Sequence, residues 1–193
     1  MTRMASLGAA LRWHYLLLVV LAGLTAGCDL WTKHWATTSL SESDSNAGPV
    51  CAVGSQRYQR QPSRVIEIVP GLFDLRYAEN CGGAWSVMAH TDNAIRVPMF
   101  ALINLLAMGF LLYIHRSTQA QLLVFRFGPP LILGGAIGNL TDRLRRGYVV
   151  DFAHAHWHGR YHYPVFNVAD VAIGVGIGLL VLATMVRPAT RVA

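Results

Sequence analysis

The chain has 193 residues, of which 53% are hydrophobic and only 13% charged, a balance too apolar for an ordinary soluble domain and expected of one membrane domain. Its formal charge of +6 comes from scattered cations, almost all arginine. Without a basic face interleaved with aromatics, this argues against nucleic-acid binding and for contact with lipid headgroups. Cys28, Cys51 and Cys81 lack the paired spacing of a zinc knuckle or a disulfide framework, although one Cys51–Cys81 bridge stays open for a segment outside the cytoplasm.

Arg3 and Arg12 precede an apolar run that ends in Thr25-Ala26-Gly27-Cys28. Basic, then apolar, then small residues before a cysteine also describes a lipoprotein-type secretory signal. Apolar character resumes through Leu30, Trp31 and Trp35, however, so residues 13–36 read as a retained first membrane helix. Asp29 and Lys33 fall at i and i+4 on one face near its outer end, either as an interfacial ion pair or as the brace of a site. Residues 39–63, rich in Ser, Gly, Asn, Gln and Pro, cannot bury enough apolar surface to order themselves and read as a loop or insertion. Two alternating stretches, 65–69 and 72–77, flank Pro70-Gly71 and predict a small hairpin on the membrane surface. The hairpin leads into Asn80-Cys81-Gly82-Gly83-Ala84-Trp85-Ser86, either a plain turn or a substrate-facing loop.

Further spans are expected at 94–114, 122–140 and 166–185, each near the roughly 20 residues that cross a bilayer. Gly134, Gly135 and Gly138 in the third, and Gly174, Gly176 and Gly178 in the fourth, suit close helix packing. Four spans put both termini on one side and the loops 37–93 and 141–165 on the other. Arg3, Arg12, Arg116, Arg187 and Arg191 mark the terminal side as cytoplasmic. Arg143, Arg145 and Arg146 oppose that vote, and pairing with acids of a site would account for them.

The chemistry concentrates where the third span ends and the fourth begins. Asn139, Asp142 and Arg143 lie in GNLTDR, Asp151 in VVDF, and Asn167 with Asp170 in FNVAD. An ionisable group within an apolar segment is costly and is read as functional by default. Two adjacent acids cannot both ionise easily, so one holds a proton and polarises a carbonyl while the other activates water. Asparagines, which donate and accept at once, and an arginine fork can hold such a pair and a peptide in register.

The order GNLTDR, VVDF, FNVAD, together with Asp29-Leu30-Trp31-Thr32-Lys33 and the loop from Asn80, resembles lipoprotein signal peptidase, the type II signal peptidase, over nearly the whole chain. The resemblance implies an α-helical membrane protein with four transmembrane helices and a small extracytoplasmic β-hairpin or cradle. The resemblance further implies a place in the bacterial cytoplasmic (inner) membrane, with the site at the outer face. It also implies Asp151 and Asp170 as the catalytic dyad, with Asn139, Asp142, Arg143, Asn167, Asn80, Gly82, Asp29 and Lys33 shaping the site or binding substrate. The substrate so implied is a diacylglyceryl-modified prolipoprotein, cut just before the modified cysteine without a metal or other cofactor. Gly83 and Trp85 stand where that family usually has alanine and phenylalanine, and the segment 39–63 lengthens the first outer loop.

Two rival readings remain open on the residues alone. His154, His156 and His158 alternate, with His162 beyond, and three imidazoles on one strand face would suit a membrane zinc hydrolase. A transporter or membrane scaffold would also place acids among apolar helices, though transporter sites usually lie near the bilayer midplane.

Overall fold

The computed structural model describes residues 2–42, 63–83, 87–88, 91–117 and 123–186. Four helices, α1 (Thr2–Ser39), α2 (Asn93–Ser117), α3 (Leu123–Arg146) and α4 (Val168–Val186), carry the apolar runs. Four strands, β1 (Ile66–Val69), β2 (Phe73–Asn80), β3 (Val149–Trp157) and β4 (Tyr161–His162), form one antiparallel sheet in that order.

The helix starts follow from side chains that satisfy free backbone N–H groups. Asp92 Oδ1 accepts from Ala94 N at 2.8 Å ahead of α2. At α4, Asn167 Oδ1 accepts from Asp170 N at 3.0 Å while Asp170 Oδ2 accepts from Asn167 N at 3.1 Å, a reciprocal capping box. Helix α1 continues unbroken past Cys28, which is free and exposed, so the signal-like pattern of the first thirty residues lies inside one long helix.

Helix α3 is the centre of the bundle and contacts α1, α2 and α4. A Cβ on Gly135 would meet the Ala169 carbonyl oxygen at 2.6 Å, and one on Gly134 would meet that of Ala22 at 2.6 Å, so only glycine allows α4 and α1 to approach this closely. Gly176 packs in the same way on Gly128, but Gly174 and Gly178 face open space and do not serve the packing expected of them. One buried cluster, with Leu18, Ala22, Leu111, Ile132 and Leu133, joins α1, α2 and α3. A second, with Ala36, Leu40, Tyr77, Val150, Phe152 and Ala153, seats the sheet on the C-terminal end of α1.

The outer helix faces are apolar and bare: Leu16, Val19 and Leu24 on α1, Leu102, Leu105, Leu106 and Phe110 on α2, Val175, Val181 and Leu182 on α4. So large an uncovered apolar surface is the mark of a protein solvated by lipid. Among the described residues two helical stretches, Tyr15–Ser39 and Asn93–Tyr113, are by length and composition apolar enough to cross a membrane, and Val168–Ala183 is a shorter apolar helix. Helix α3 is less apolar because it carries its polar groups at its C-terminal end.

The expected hairpin is present as β1 and β2, with Gly71 at φ 73° in the turn. The segment 141–165, read as a loop, is largely ordered structure instead: α3 runs on to Arg146, and β3 pairs along β2. Cys81 is buried and disulfide-bonded. Cys51, Trp85, Arg187, Arg191 and most of the 39–63 segment lie outside the described residues.

Candidate active site

Strand β3 sets one acid and the start of α4 the other. The register pairs Ala78 with Asp151, and a bulge between Leu75 and Ala78 turns the end of β2 so that Asn80 reaches the same acid. Asn80 Nδ2 donates to Asp151 Oδ2 at 3.0 Å, and Asn80 Oδ1 accepts from Gly82 N at 3.0 Å. Asn167 Nδ2 donates to Asp151 Oδ1 at 2.6 Å. Asn167 N donates to Asp170 Oδ2, so one residue is bonded to both carboxyl groups, to Asp151 by its side chain and to Asp170 by its backbone. Asn139 Nδ2 donates to Asp170 Oδ1 at 3.0 Å.

The two acids differ in surroundings. Asp151 is 2% exposed, whereas Asp170 opens to the surface at the first turn of α4. Burial, and then the charge of Asp170, push the Asp151 carboxyl up to about 7, against the pull of the Asn80 and Asn167 hydrogen bonds. The pair therefore consists of a buried acid that keeps its proton to higher pH than usual and a second acid that faces outward.

Beneath it lies a buried polar platform. Lys33, the chain's single lysine, is 2.7 Å from Asp29 and 3.4 Å from Asp142, and donates to Asn139 Oδ1 at 2.7 Å. Asp29 Oδ1 accepts from Ala169 N at 2.8 Å, which ties α1 to the first turn of α4. Gly138 is where it is because any side chain there would strike Asp29. Asp142 Oδ2 accepts from Val150 N at 3.1 Å and so sets the strand residue next to Asp151. The i,i+4 pair of α1 thus braces the site, since it is fully buried and bonded to two other helices.

Arg143 lies in the field of Asp151, Asp170 and Asp142, while its hydrogen bonds go to the backbone. Arg143 donates to the carbonyl oxygens of Gly82 at 3.2 Å and Asn139 at 3.4 Å, with its guanidinium 4.7 Å over the Phe100 ring. Arg146, one turn after Asp142, takes that acid instead at 3.3 Å, because i,i+4 spacing puts it on the same helix face. Arg145 is exposed. All ten expected site residues, Asp151, Asp170, Asn139, Asp142, Arg143, Asn167, Asn80, Gly82, Asp29 and Lys33, belong to this one hydrogen-bonded and ion-paired network.

A residue that motif reading passed over is Arg96, buried at the start of α2. It bonds Asn93 and donates to the Gly147 carbonyl at 3.3 Å, and Gly147, at φ 78°, is the turn that feeds β3. An arginine at the head of an apolar run was the only sequence signal for it.

The three-histidine face does not form as expected. The strand ends at Trp157, and His158 sits in the following turn at φ 44°, which carries its ring towards Gly71. His154 and His156 instead share Asp74 with each other and stack on His162.

Apolar helices around a buried polar platform, with a sheet presenting one acid to another at a helix start, define a helical membrane protein with a paired-carboxylate site. Two solved structures described as bacterial membrane enzymes share this fold, with TM-scores of 0.64 and 0.63 at 22% identity, covering 87% and 89% of this chain and 87% and 94% of theirs. Residues 21–186 match the family described as signal peptidase (SPase) II, and the chain belongs to that family of membrane peptidases. The lipoprotein signal peptidase of Anaeromyxobacter sp. (strain Fw109-5) is 34% identical over 86% of this chain and 83% of its own length. That of Syntrophotalea carbinolica is 47% identical over 61% of this chain and 71% of its own length.

Proposed function

We propose that this protein is an aspartic endopeptidase that removes the signal peptide of prolipoproteins by cutting before a diacylglyceryl-modified cysteine. The observation that carries the reading is Asn167, which donates to the Asp151 carboxyl from Nδ2 and to the Asp170 carboxyl from its backbone N–H, so that two acids of unlike environment are held as one unit. Family membership supports the reaction, and the geometry supports the division of labour. Asp170, the outward carboxylate, takes a proton from a water molecule as its oxygen attacks the scissile carbonyl. Asp151, which holds its proton near pH 7, hydrogen-bonds the carbonyl oxygen and stabilises the charge that develops there. The proton gained by Asp170 then passes to the leaving amide nitrogen, and the free acid and amine separate.

Asn139, Asn167 and Asn80 hold the acids, while Asp29, Lys33 and Asp142 form the platform under them. Arg143, by clasping the Gly82 carbonyl, fixes the loop after β2 at the edge of the site. Residues 1–193 act as one peptidase domain. Its spans lie near 13–36, 94–114, 122–140 and 166–185, its termini in the cytoplasm, and the sheet and both acids at the outer face of the bacterial inner membrane. The exposed apolar helix faces suit a substrate whose lipid chains stay in the bilayer while its peptide reaches the membrane edge.

Purified protein incubated with a diacylglyceryl-modified prolipoprotein peptide is expected to release a product whose new N-terminus is the modified cysteine. The unmodified peptide is expected to be cut poorly. Equal cleavage of both, or cleavage at another bond, would contradict the assignment.

A further inference from the structure

Outside the acid pair, the sheet holds a second constellation of chemistry-bearing groups. Asp74 on β2 pairs across the ladder with His154 on β3, and His156 on β3 pairs with His162 on β4. Alternation along β3 turns His154 and His156 to the sheet face opposite Asp151. Asp74 Oδ2 lies 3.0 Å from His154 Nδ1 and 3.1 Å from His156 Nε2. One donor atom from each of these three residues falls within 4.8 Å of the other two. The rings of His154, His156 and His162 stack at 5.0 to 5.8 Å with interplanar angles of 11° to 18°.

Which ring nitrogens donate depends on the tautomers, and two sets fit these contacts. In the set where His162 Nε2 donates to the Gly159 carbonyl, 3.3 Å away, Nδ1 of neutral His162 is an acceptor. That Nδ1 faces His154 Nε2 at 3.2 Å, so Nε2 of His154 must donate. Neutral His154 then presents the bare lone pair of Nδ1 to a carboxylate oxygen at 3.0 Å. Two acceptors at this distance repel unless a cation lies between them. A proton on His154 is one such cation, but it would put an imidazolium between two stacked rings and near Arg76, which already donates twice to Asp74, at 2.7 and 2.6 Å. A metal ion instead uses the lone pair.

We propose that Asp74 Oδ2, His154 Nδ1 and His156 Nε2 form a binding site for one divalent transition-metal ion of the zinc class, which clamps β2 to β3. Tetrahedral bonds of about 2.0–2.1 Å put donor atoms about 3.3 Å apart, close to the two spacings to Asp74. Imidazole and carboxylate suit zinc or its Irving–Williams neighbours, whereas calcium and magnesium need more oxygen ligands than the cluster offers. Arg76 on Asp74 and His162 on His154 are the outer partners that orient the ligands. His156 is partly open and His162 exposed, so an ion can reach the cluster from the surface. The site lies apart from the acid pair and carries no step of the cleavage.

The test uses the full chain in detergent, stripped with a chelator and titrated with Co(II), followed by displacement with Zn(II). The wild type is expected to take up one equivalent with a visible ligand-field band and to melt higher with Zn(II). His154→Gln and His156→Gln are expected to lose the band, His162→Ala to bind about 10- to 100-fold more weakly, and His158→Gln to bind as the wild type does. Absence of a band in the wild type means that a proton holds the cluster together, and overturns the proposal. A band that persists in His154→Gln, or vanishes in His158→Gln, places the ion elsewhere and overturns it equally. If the glutamine variants at 154 and 156 do not fold, the wild-type titration and His158→Gln decide alone.

Discussion

Replacing Lys33 with methionine keeps most of the side chain's length and removes its charge and donors. In the intact protein the ammonium lies between Asp29 and Asp142, at 2.7 and 3.4 Å, with side-chain exposures of 1%, 0% and 4% for the three groups. Without it, Asp29 keeps only the Ala169 N–H, and Asp142 keeps Arg146 and the Val150 N–H. Removing one partner of a buried ion pair costs about 3–5 kcal/mol, because the other charge stays buried without compensation. At roughly 2–4 °C per kcal/mol for a chain of this size, the melting temperature is expected to fall by about 6–20 °C. Cleavage also suffers, since Lys33 holds Asn139, which holds Asp170, and a displacement of about 1 Å at a reacting group costs up to ~100-fold. Thermal unfolding in detergent, followed by circular dichroism, measures the first effect. Adding Asp29→Asn to Lys33→Met removes one stranded charge and is expected to restore part of the loss. A Lys33→Met protein that melts within about 2 °C of the wild type, or losses that simply add in the double mutant, would refute the ion-pair account.

The state of Asp151 makes stability depend on pH. An acid whose carboxyl is raised to about 7 by burial and by Asp170 keeps its proton longer in the folded protein, so stability is lost as pH rises from the unfolded value, near 4, through 7. Wild type is therefore expected to weaken relative to Asp151→Asn across that window, and cleavage to decline above about pH 7; a constant difference in melting temperature would contradict this. Gly135→Ala drives a methyl into the Ala169 carbonyl and is expected to lower the melting temperature, whereas Gly174→Ala enters open space and gains up to about 1 kcal/mol of helix propensity. Matched melting curves of the two variants check the contrast. For the topology, a cysteine replacing Arg160 in the turn after β3 is expected to label from outside intact cells, and one replacing Ser117 at the end of α2 only after lysis. The reverse pattern would turn the protein over in the membrane.

Much of the site was legible because its residues sit at short, chemically marked spacings. Asn167 and Asp170 stand three apart, as a capping box requires, and Asp29 and Lys33 one helical turn apart. The helices were legible as apolar runs. Strand β3 was harder to see, because its partner β2 lies some seventy positions away, and only that long-range register makes a strand of a segment which by itself reads as a polar loop. The same register explains the histidines. Asp74 becomes a neighbour of His154 only through the ladder, and the hairpin turn, invisible in an alternating pattern, removes His158 and brings His162 back. Arg143 and Arg146 could be exchanged on paper. Helical phase decides between them, giving Asp142 to Arg146 and leaving Arg143 to the backbone of the Gly82 loop.

The aspartic mechanism is tested most directly by cleavage of a diacylglyceryl-modified prolipoprotein peptide by Asp151→Asn, Asp170→Asn and the double mutant, each with and without a chelator. Asparagine keeps the size of the side chain and some of its hydrogen bonds but cannot exchange the proton, and groups acting as one unit do not lose activity additively. The account predicts that both single mutants fold, bind the modified peptide and are almost inactive, that the double mutant is little worse, and that the wild type keeps cutting after chelation. Appreciable turnover by either single mutant would contradict it.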